Sequence, residues 1–269
     1  MFEQLVTDLR HADPTIRYEA AQQLGASQDM RAVDPLITML PDDNSKVQYA
    51  AFSGLVKLGA SHAAEAMVDM LISDLNSRVW ELLKLNIGLR LRAGLLDLVQ
   101  PGDISIADQV VATLQDTALE LDDHQRAFFV RVLGRTGDRE RVDLLIKLLV
   151  KGSEPIQTAA AEALGWLRDD RAVSPLLVFL NEQHDTLREA AAEALGRIGS
   201  ENAVEALIGR LNDSSEWVRR AAAEALGDIG NRTAIHPLVA LLQDESTMVQ
   251  DAAFEALKKL SYGSYDVTL

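Results

Sequence analysis

The sequence contains no cysteine among its 269 residues. Disulfides, thiolate catalysis, thioether-linked prosthetic groups and cysteine-ligated metal or iron–sulfur sites are therefore excluded on this chain. Aromatic residues amount to only 5%, and because strands favour aromatic and β-branched residues, the composition favours packed helices. The sequence has no apolar run long enough to span a bilayer and no basic-then-apolar N-terminus. We therefore expect no membrane insertion and a cytoplasmic location.

A basic patch is also missing. The formal net charge is −15, and the acidic residues are spread over both halves of the chain. Nucleic acids draw most of their affinity for proteins from lysine and arginine on phosphates. We therefore expect no nucleic acid among the partners of this protein.

The sequence does contain a strong internal repeat. Similar segments begin with Ile156, Leu187, Val218 and Val249, at a constant step of 31 residues. We number each segment from this apolar residue, as position 0. The earlier positions 0 are Ile16, Val47, Val79 and, as a poorer match, Gln125.

A helix N-cap residue is predicted three residues before each position 0. Seven of the eight candidates have a short side-chain oxygen that can accept from a free amide of the first turn, and His184 is the exception. The candidates are Asp13, Asn44, Asn76, Asp122, Ser153, His184, Ser215 and Ser246. A further helix precedes each of these, so every repeat is predicted to be first helix, polar turn, second helix and glycine.

The step between Val79 and Gln125 is longer than the others, with extra residues near 89–103. Two interpretations stay open, a helix extension followed by a loop, or an insertion that decorates one face. A short tail, 261–269, follows the last repeat. We predict one domain over 1–269, because a single helix pair cannot bury its apolar face and must stack on neighbours.

Helical spacing divides the second helices into two sides. Positions 0, +4, +7, +8 and +11 carry the Ile/Val, Ala and Leu columns and are predicted to face the core. Positions +2, +6 and +9 lie opposite. Position +9 is mostly glycine, which we expect at helix ends where a positive φ is useful.

The side opposite the core supplies the candidate binding residues. Aromatic and arginine side chains are typical binding anchors, and glutamate recurs at position +6 of the later repeats. The glutamates can also be helix formers on a solvated face, and the tyrosines can be filling between repeats. The candidates are Tyr18, Tyr49, Trp80, Leu85, Arg131, Glu162, Glu193, Glu224 and Glu255.

Catalytic and metal-binding patterns are missing from the sequence. The five histidines are too far apart for a helical histidine pair, and no phosphate-binding glycine motif or nucleophile elbow occurs. His124 follows Asp122-Asp123, but the N-cap role explains Asp122 better than a metal site does. We expect no catalytic residue, metal or cofactor on this chain.

The repeats resemble the phycobilisome-lyase HEAT-like repeats. The resemblance is carried by D-P-x-I-R-x-x-A-A-x-x-L-G in 13–25 and V-R-R-A-A-A-E-A-L-G-D-I-G in 218–230. It implies an all-α, right-handed α-solenoid of about eight HEAT-type helical hairpins, with the second helices on the concave side. Relatives of this kind include bilin lyase subunits, phycobilisome-degradation adaptors and a protein that partners an iron–sulfur scaffold.

Three functional hypotheses follow. The first is a non-catalytic scaffold or adaptor that binds another protein through the concave face. The second is a bilin lyase subunit or bilin chaperone, which would bind an open-chain tetrapyrrole. The third is an accessory protein for iron–sulfur assembly, acting on a partner that holds the cluster. A phycobiliprotein, a lyase partner subunit or an iron–sulfur scaffold would then be the partner.

Overall fold

A computed structural model describes residues 1–73, 80, 81, 83, 86–116 and 119–262. The described residues form α-helices, short 3-10 helices and turns, and no strand occurs among them. The all-α repeat fold predicted from the sequence is therefore confirmed. The chain divides into two compact units, unit 1 from Met1 to Leu121 and unit 2 from Asp122 to Leu269.

The α-helices with described bounds follow one another in pairs. In unit 1 they are α1 (Phe2–Asp8), α2 (Pro14–Ala26), α3 (Val33–Ile37), α4 (Ser45–Leu58), α5 (Ala64–Ser73), α6 (Asn86–Leu98) and α7 (Ile104–Gln115). In unit 2 they are α8 (Asp123–Arg135), α9 (Val142–Lys151), α10 (Glu154–Leu167), α11 (Val173–Phe179), α12 (Asp185–Ile198), α13 (Val204–Arg210), α14 (Glu216–Ile229), α15 (Ile235–Ala240) and α16 (Thr247–Tyr262).

The second helices form the inner framework of each unit. In unit 2, α8, α10, α12, α14 and α16 pack side by side in chain order, and in unit 1 α2 packs on α4. The first helices α9, α11, α13 and α15 each pack on the second helix that follows. The alanine and leucine columns of the second helices are buried between these layers, as the helical spacing predicts.

The second helices begin where the sequence predicts. The side chains of Asp13, Asn44 and Asp122 each accept a hydrogen bond from an amide of the first turn. Ser153, His184 and Ser215 also occupy N-cap positions, but their side chains make no cap hydrogen bond. For Ser153 and Ser215 the predicted side-chain cap is therefore wrong. Asn76 and Val79 lie outside the described residues.

The segment with the extra residues is mostly helical. Residues 86–98 form α6, which packs on α4, and the chain turns at Pro101 and Gly102 before α7 begins. Leu95 of α6 is buried. An added Cβ on Gly94 would meet the side chain of Val56 in α4, so α6 lies close against its neighbour.

The glycine at position +9 does not lie on the solvent side. Gly165, Gly196 and Gly227 are inside their helices and buried against the next second helix. A Cβ added to Gly196 would stand 2.7 Å from both Cα and Cβ of Ala225. The prediction that this column ends the helices opposite the core is therefore wrong, because these positions are where successive helices touch. The left-handed cap falls on other residues, such as Gly199.

A second inter-repeat contact joins the turns. The Arg188 guanidinium donates to both carboxylate oxygens of Asp213 in the next repeat, at 2.9 and 2.7 Å. Its third nitrogen donates to two carbonyl oxygens of its own turn. Arg17 with Asp42 and Arg219 with Asp244 repeat the arrangement at the same 25-residue spacing. These bidentate pairs fix the distance between neighbouring turns.

Replacing Gly196 by alanine tests the close contact between second helices. We expect Gly196→Ala to lower the free energy of unfolding by about 1–3 kcal/mol, because the new methyl group overpacks the contact with Ala225. Urea denaturation measures the change. Gly209→Ala is the matched control, since Gly209 lies within α13 and nothing stands within 4 Å of an added Cβ. The control should be neutral or up to about 1 kcal/mol more stable, and equal losses in both variants would contradict the packing argument.

Candidate functional site

The predicted glutamates of unit 2 do share one side of the second helices. Glu162, Glu193 and Glu224 lie on α10, α12 and α14 at successive repeats, and each is half-buried. Glu255 lies on α16 and is exposed. Their spacing follows from the helix stack, because each repeat places position +6 at the same height on the next helix.

Arginines on the same side pair with these glutamates. Arg131, also predicted as a site residue, donates from Nη2 to Glu162 Oε1 at 3.2 Å across one repeat. Arg220 approaches Glu189 of the neighbouring α12 at 2.9 Å and Glu224 of its own helix α14 at 3.1 Å. Arg197 donates to Glu193 at 3.1 Å. The glutamate column is thus part of a mixed-charge network, here called the unit 2 network.

Burial sets the protonation behaviour of the unit 2 network. Partial burial raises the pKa of Glu189 above its ordinary value, and the hydrogen bond from Arg220 opposes this effect only in part. Burial also disfavours the charge on Arg220, but the neighbouring Glu224 and Glu189 carboxylates raise the pKa of its guanidinium. Arg220 therefore stays charged and holds the surrounding carboxylates together.

Unit 1 has a groove in place of such a network. It lies between α2 and α4 and has a volume of about 820 Å³. Tyr18 and Tyr49 occupy position +2 of successive repeats, and both rings line the groove half-buried. Gln22 donates a hydrogen bond to the Tyr18 hydroxyl at 2.6 Å. The remaining lining residues are Pro14, Thr15, Glu19, Asn44, Ser45, Lys46 and Glu81. We call this the Tyr groove.

Two other predicted site residues do not join the Tyr groove. Trp80 is only 2% exposed, and its indole N–H donates to the Leu71 carbonyl oxygen at 2.9 Å. Its ring is therefore part of the unit 1 core and offers no surface to a partner. Leu85 lies outside the described residues. The Tyr groove is lined in addition by Lys46, in the first turn of α4, and by Glu19 of α2. Neither residue gave a functional signal in the sequence.

The part of the chain that the structure describes contains no cluster of side chains suited to metal binding. No cluster of three or more histidine, aspartate or glutamate side chains there could hold a metal ion. His184 pairs with Glu154 at 3.2 Å on the exposed surface, and His62 pairs with Asp34 at 3.5 Å. No helix among the described residues has the length and apolar character needed to cross a bilayer.

The comparisons with known proteins agree on the fold. The family model for HEAT repeats matches residues 2–83, 111–195 and 173–258. No curated protein matches the sequence. The similarity to solved structures is low in sequence identity and concerns the fold alone.

Three of these structures are similar over nearly the whole chain. Kap121p bound to Ste12p is 15% identical with a TM-score of 0.50, covering 97% of this chain and 37% of that chain. The CpcE–CpcF complex of phycocyanin lyase from Nostoc sp. PCC7120 is 22% identical with a TM-score of 0.48, covering 97% and 94%. Human deoxyhypusine hydroxylase is 19% identical with a TM-score of 0.44, covering 97% and 96%.

Replacing Arg220 tests the unit 2 network. We expect Arg220→Met to cost about 2 kcal/mol at neutral pH, because partly buried carboxylates lose a charged donor. The folded-state pKa of Glu189 then rises further above its unfolded value, so the folded state binds more protons. The variant should therefore regain stability as pH falls from 7 toward the pKa of Glu189.

Urea denaturation of the Arg220→Met variant at several pH values measures both effects. Lys259→Met is the control, since Lys259 pairs with Asp228 at 2.6 Å and both side chains are about half exposed, and exposed pairs contribute little. A variant that loses stability equally at every pH would contradict the role given to Arg220.

Proposed function

We propose that this chain, which belongs to the HEAT-repeat family, is a non-catalytic adaptor that binds another protein through the Tyr groove of unit 1. The observation that carries the proposal is the pair of half-buried tyrosine rings, one repeat apart, in a groove of about 820 Å³. Stacked helical repeats present extended surfaces of this kind to partners.

Tyrosine rings are well suited to anchor a partner segment. They offer a large, rigid apolar area and a hydroxyl that can hydrogen-bond, and aromatic residues are enriched among the residues that dominate interface energies. The unit 2 network is less suited to this task, because its glutamates already pair with Arg131, Arg197 and Arg220. A partner that bound there would have to replace those ion pairs with its own, which gives no net gain in binding free energy.

Charge favours a partner segment that combines an apolar side chain with lysine or arginine. The carboxylates of Glu19 and Glu81 line the Tyr groove and are exposed, and the whole chain carries a formal charge of −15. Complementary charge speeds the encounter and selects against acidic partners. Lys46, in the same groove, would then face a carboxylate or carbonyl oxygen of the segment.

The identity of the partner is a finer proposal that rests on the sequence resemblance. A phycobiliprotein, a lyase partner subunit or an iron–sulfur scaffold would each fit an adaptor role. In the last case the partner would hold the cluster, because this chain has no cysteine.

Affinity capture tests the adaptor function. Immobilised protein is mixed with an extract of the source cells, and the retained proteins are identified and quantified by mass spectrometry. We expect the Tyr18→Ala, Tyr49→Ala double variant to lose at least tenfold in recovery of a specific partner, as for dominant aromatic anchors. Trp217→Ala is the control, since Trp217 is an exposed aromatic residue of unit 2. Unchanged recovery with the double variant, or equal loss with the control, would reject the Tyr groove as the binding site.

A bilin is the second candidate ligand. The observation that favours it is the combination of the Tyr18 and Tyr49 rings with the Lys46 ammonium in one groove, since a tetrapyrrole needs aromatic walls and a cation for its propionates. The free bilin is mixed with the protein and its visible spectrum is recorded. A red-shifted, protein-bound absorption that the Tyr18→Ala, Tyr49→Ala variant lacks would support this function, and an unchanged spectrum would exclude it.

A further inference from the structure

The second helix α16 carries one exposed apolar residue at a position that is buried in the other described repeats. Position +5 stands one turn before the position +9 glycine that touches the next repeat, and in the earlier described repeats it is fully buried. Those residues are Ala21, Phe52, Val130, Ala161, Ala192 and Ala223, each 0% exposed. In α16 the same position is Phe254, which is 59% exposed. Leu242, in the short 3-10 helix after α15, is half-buried, whereas Leu149, Leu180 and Leu211 at the equivalent position are buried.

A phenylalanine at this position can be covered by a neighbouring helix. Phe52 of α4 holds the equivalent position and is fully buried. One turn later, at position +9, the Val56 side chain lies close against Gly94 of α6. Phe254 therefore has the residue type and the helix position of a packing residue, but it is exposed in the described part of the chain.

The first repeat has polar residues on the face that other second helices bury. On α2 the positions that face a preceding repeat are Glu19 and Gln23, both exposed, whereas the equivalent residues of α12, Ala190 and Ala194, are buried. If Phe254 of one copy packed on α2 of another, the polar side chains of Glu19 and Gln23 would be buried against it. Head-to-tail chains of copies are therefore disfavoured.

We infer that the C-terminal repeat is a self-association surface, on which a second copy of this chain packs through its own α16. The two α16 helices would run antiparallel with Phe254 at the two-fold axis. This symmetry places position 258 of one copy opposite positions 250 and 251 of the other. Lys258 would then meet Gln250 and Asp251, and all three side chains are at least partly exposed. The surface is thus complementary to itself in charge, as a two-fold interface requires.

The inference goes beyond the proposed function, since it uses neither the Tyr groove nor its partner. Analytical ultracentrifugation of the full chain over a range of concentrations measures the monomer–dimer equilibrium. We expect a dimer, and we expect Phe254→Lys to weaken it at least tenfold. Val178→Lys is the control, since Val178 is 63% exposed on a first helix and its replacement should leave the equilibrium unchanged.

Three results would overturn the inference. One is a full chain that stays monomeric at every concentration. Another is an equal loss of association in the Val178→Lys control. The third is association that arises only after residues 263–269 are deleted, because a segment of the same chain would then be the cover of Phe254.

The absence of native cysteine allows a direct test of the antiparallel arrangement. The single variants Gln250→Cys and Lys258→Cys are prepared. Each variant is oxidised by itself, and an equal mixture of the two is oxidised as a third sample. The proposed symmetry predicts that the mixture forms a disulfide-linked dimer several-fold faster than either variant alone, because positions 250 and 258 face each other. Equal rates in all three samples, or no cross-linking in any, would refute the arrangement.

Discussion

Close approach of successive second helices is the contact on which the rest of unit 2 depends. Gly165, Gly196 and Gly227 each meet an alanine of the next helix, at distances that leave no room for a Cβ on the glycine. Small residues let helix backbones come together and bring the larger leucine side chains into register, so the core is filled at a density typical of protein interiors. Because the same contact recurs from one repeat to the next, it sets the spacing of the second helices throughout unit 2.

The ion pairs on the polar side of the second helices are a consequence of this helix stack. Once the helices are fixed at one repeat distance, side chains 31 residues apart become neighbours, and Arg131 with Glu162 or Arg220 with Glu189 can pair across the gap. The bidentate pair of Arg188 and Asp213 does the same for the turns. Charged pairs of this kind add modest energy but fix geometry, because the guanidinium fork accepts few arrangements.

The division between stacking and free positions bears on function. Positions +5, +7 and +9 of the second helices are used by the neighbouring repeat, which leaves positions +2 and +6 for solvent or for a guest. In unit 2 these positions are largely used by the protein's own ion pairs, whereas in unit 1 they carry Tyr18 and Tyr49 over a groove. On α16, Phe254 holds a stacking position and is exposed. The surfaces proposed for binding are thus the places where the repeat rule leaves apolar area without a cover.

The sequence by itself determined the period, the helical class, the starts of the second helices and the buried alanine and leucine columns, because these depend on local spacing along one helix. That the whole chain, 1–269, forms one array stays a prediction. Only the tertiary structure decided that the glycines are contacts between helices, that Trp80 is buried and that Glu162, Glu193 and Glu224 are paired with arginines. Each of these depends on a residue about one repeat away or on a neighbouring element, and no local pattern shows which side chains the packing of helices will bring within a few ångströms of one another.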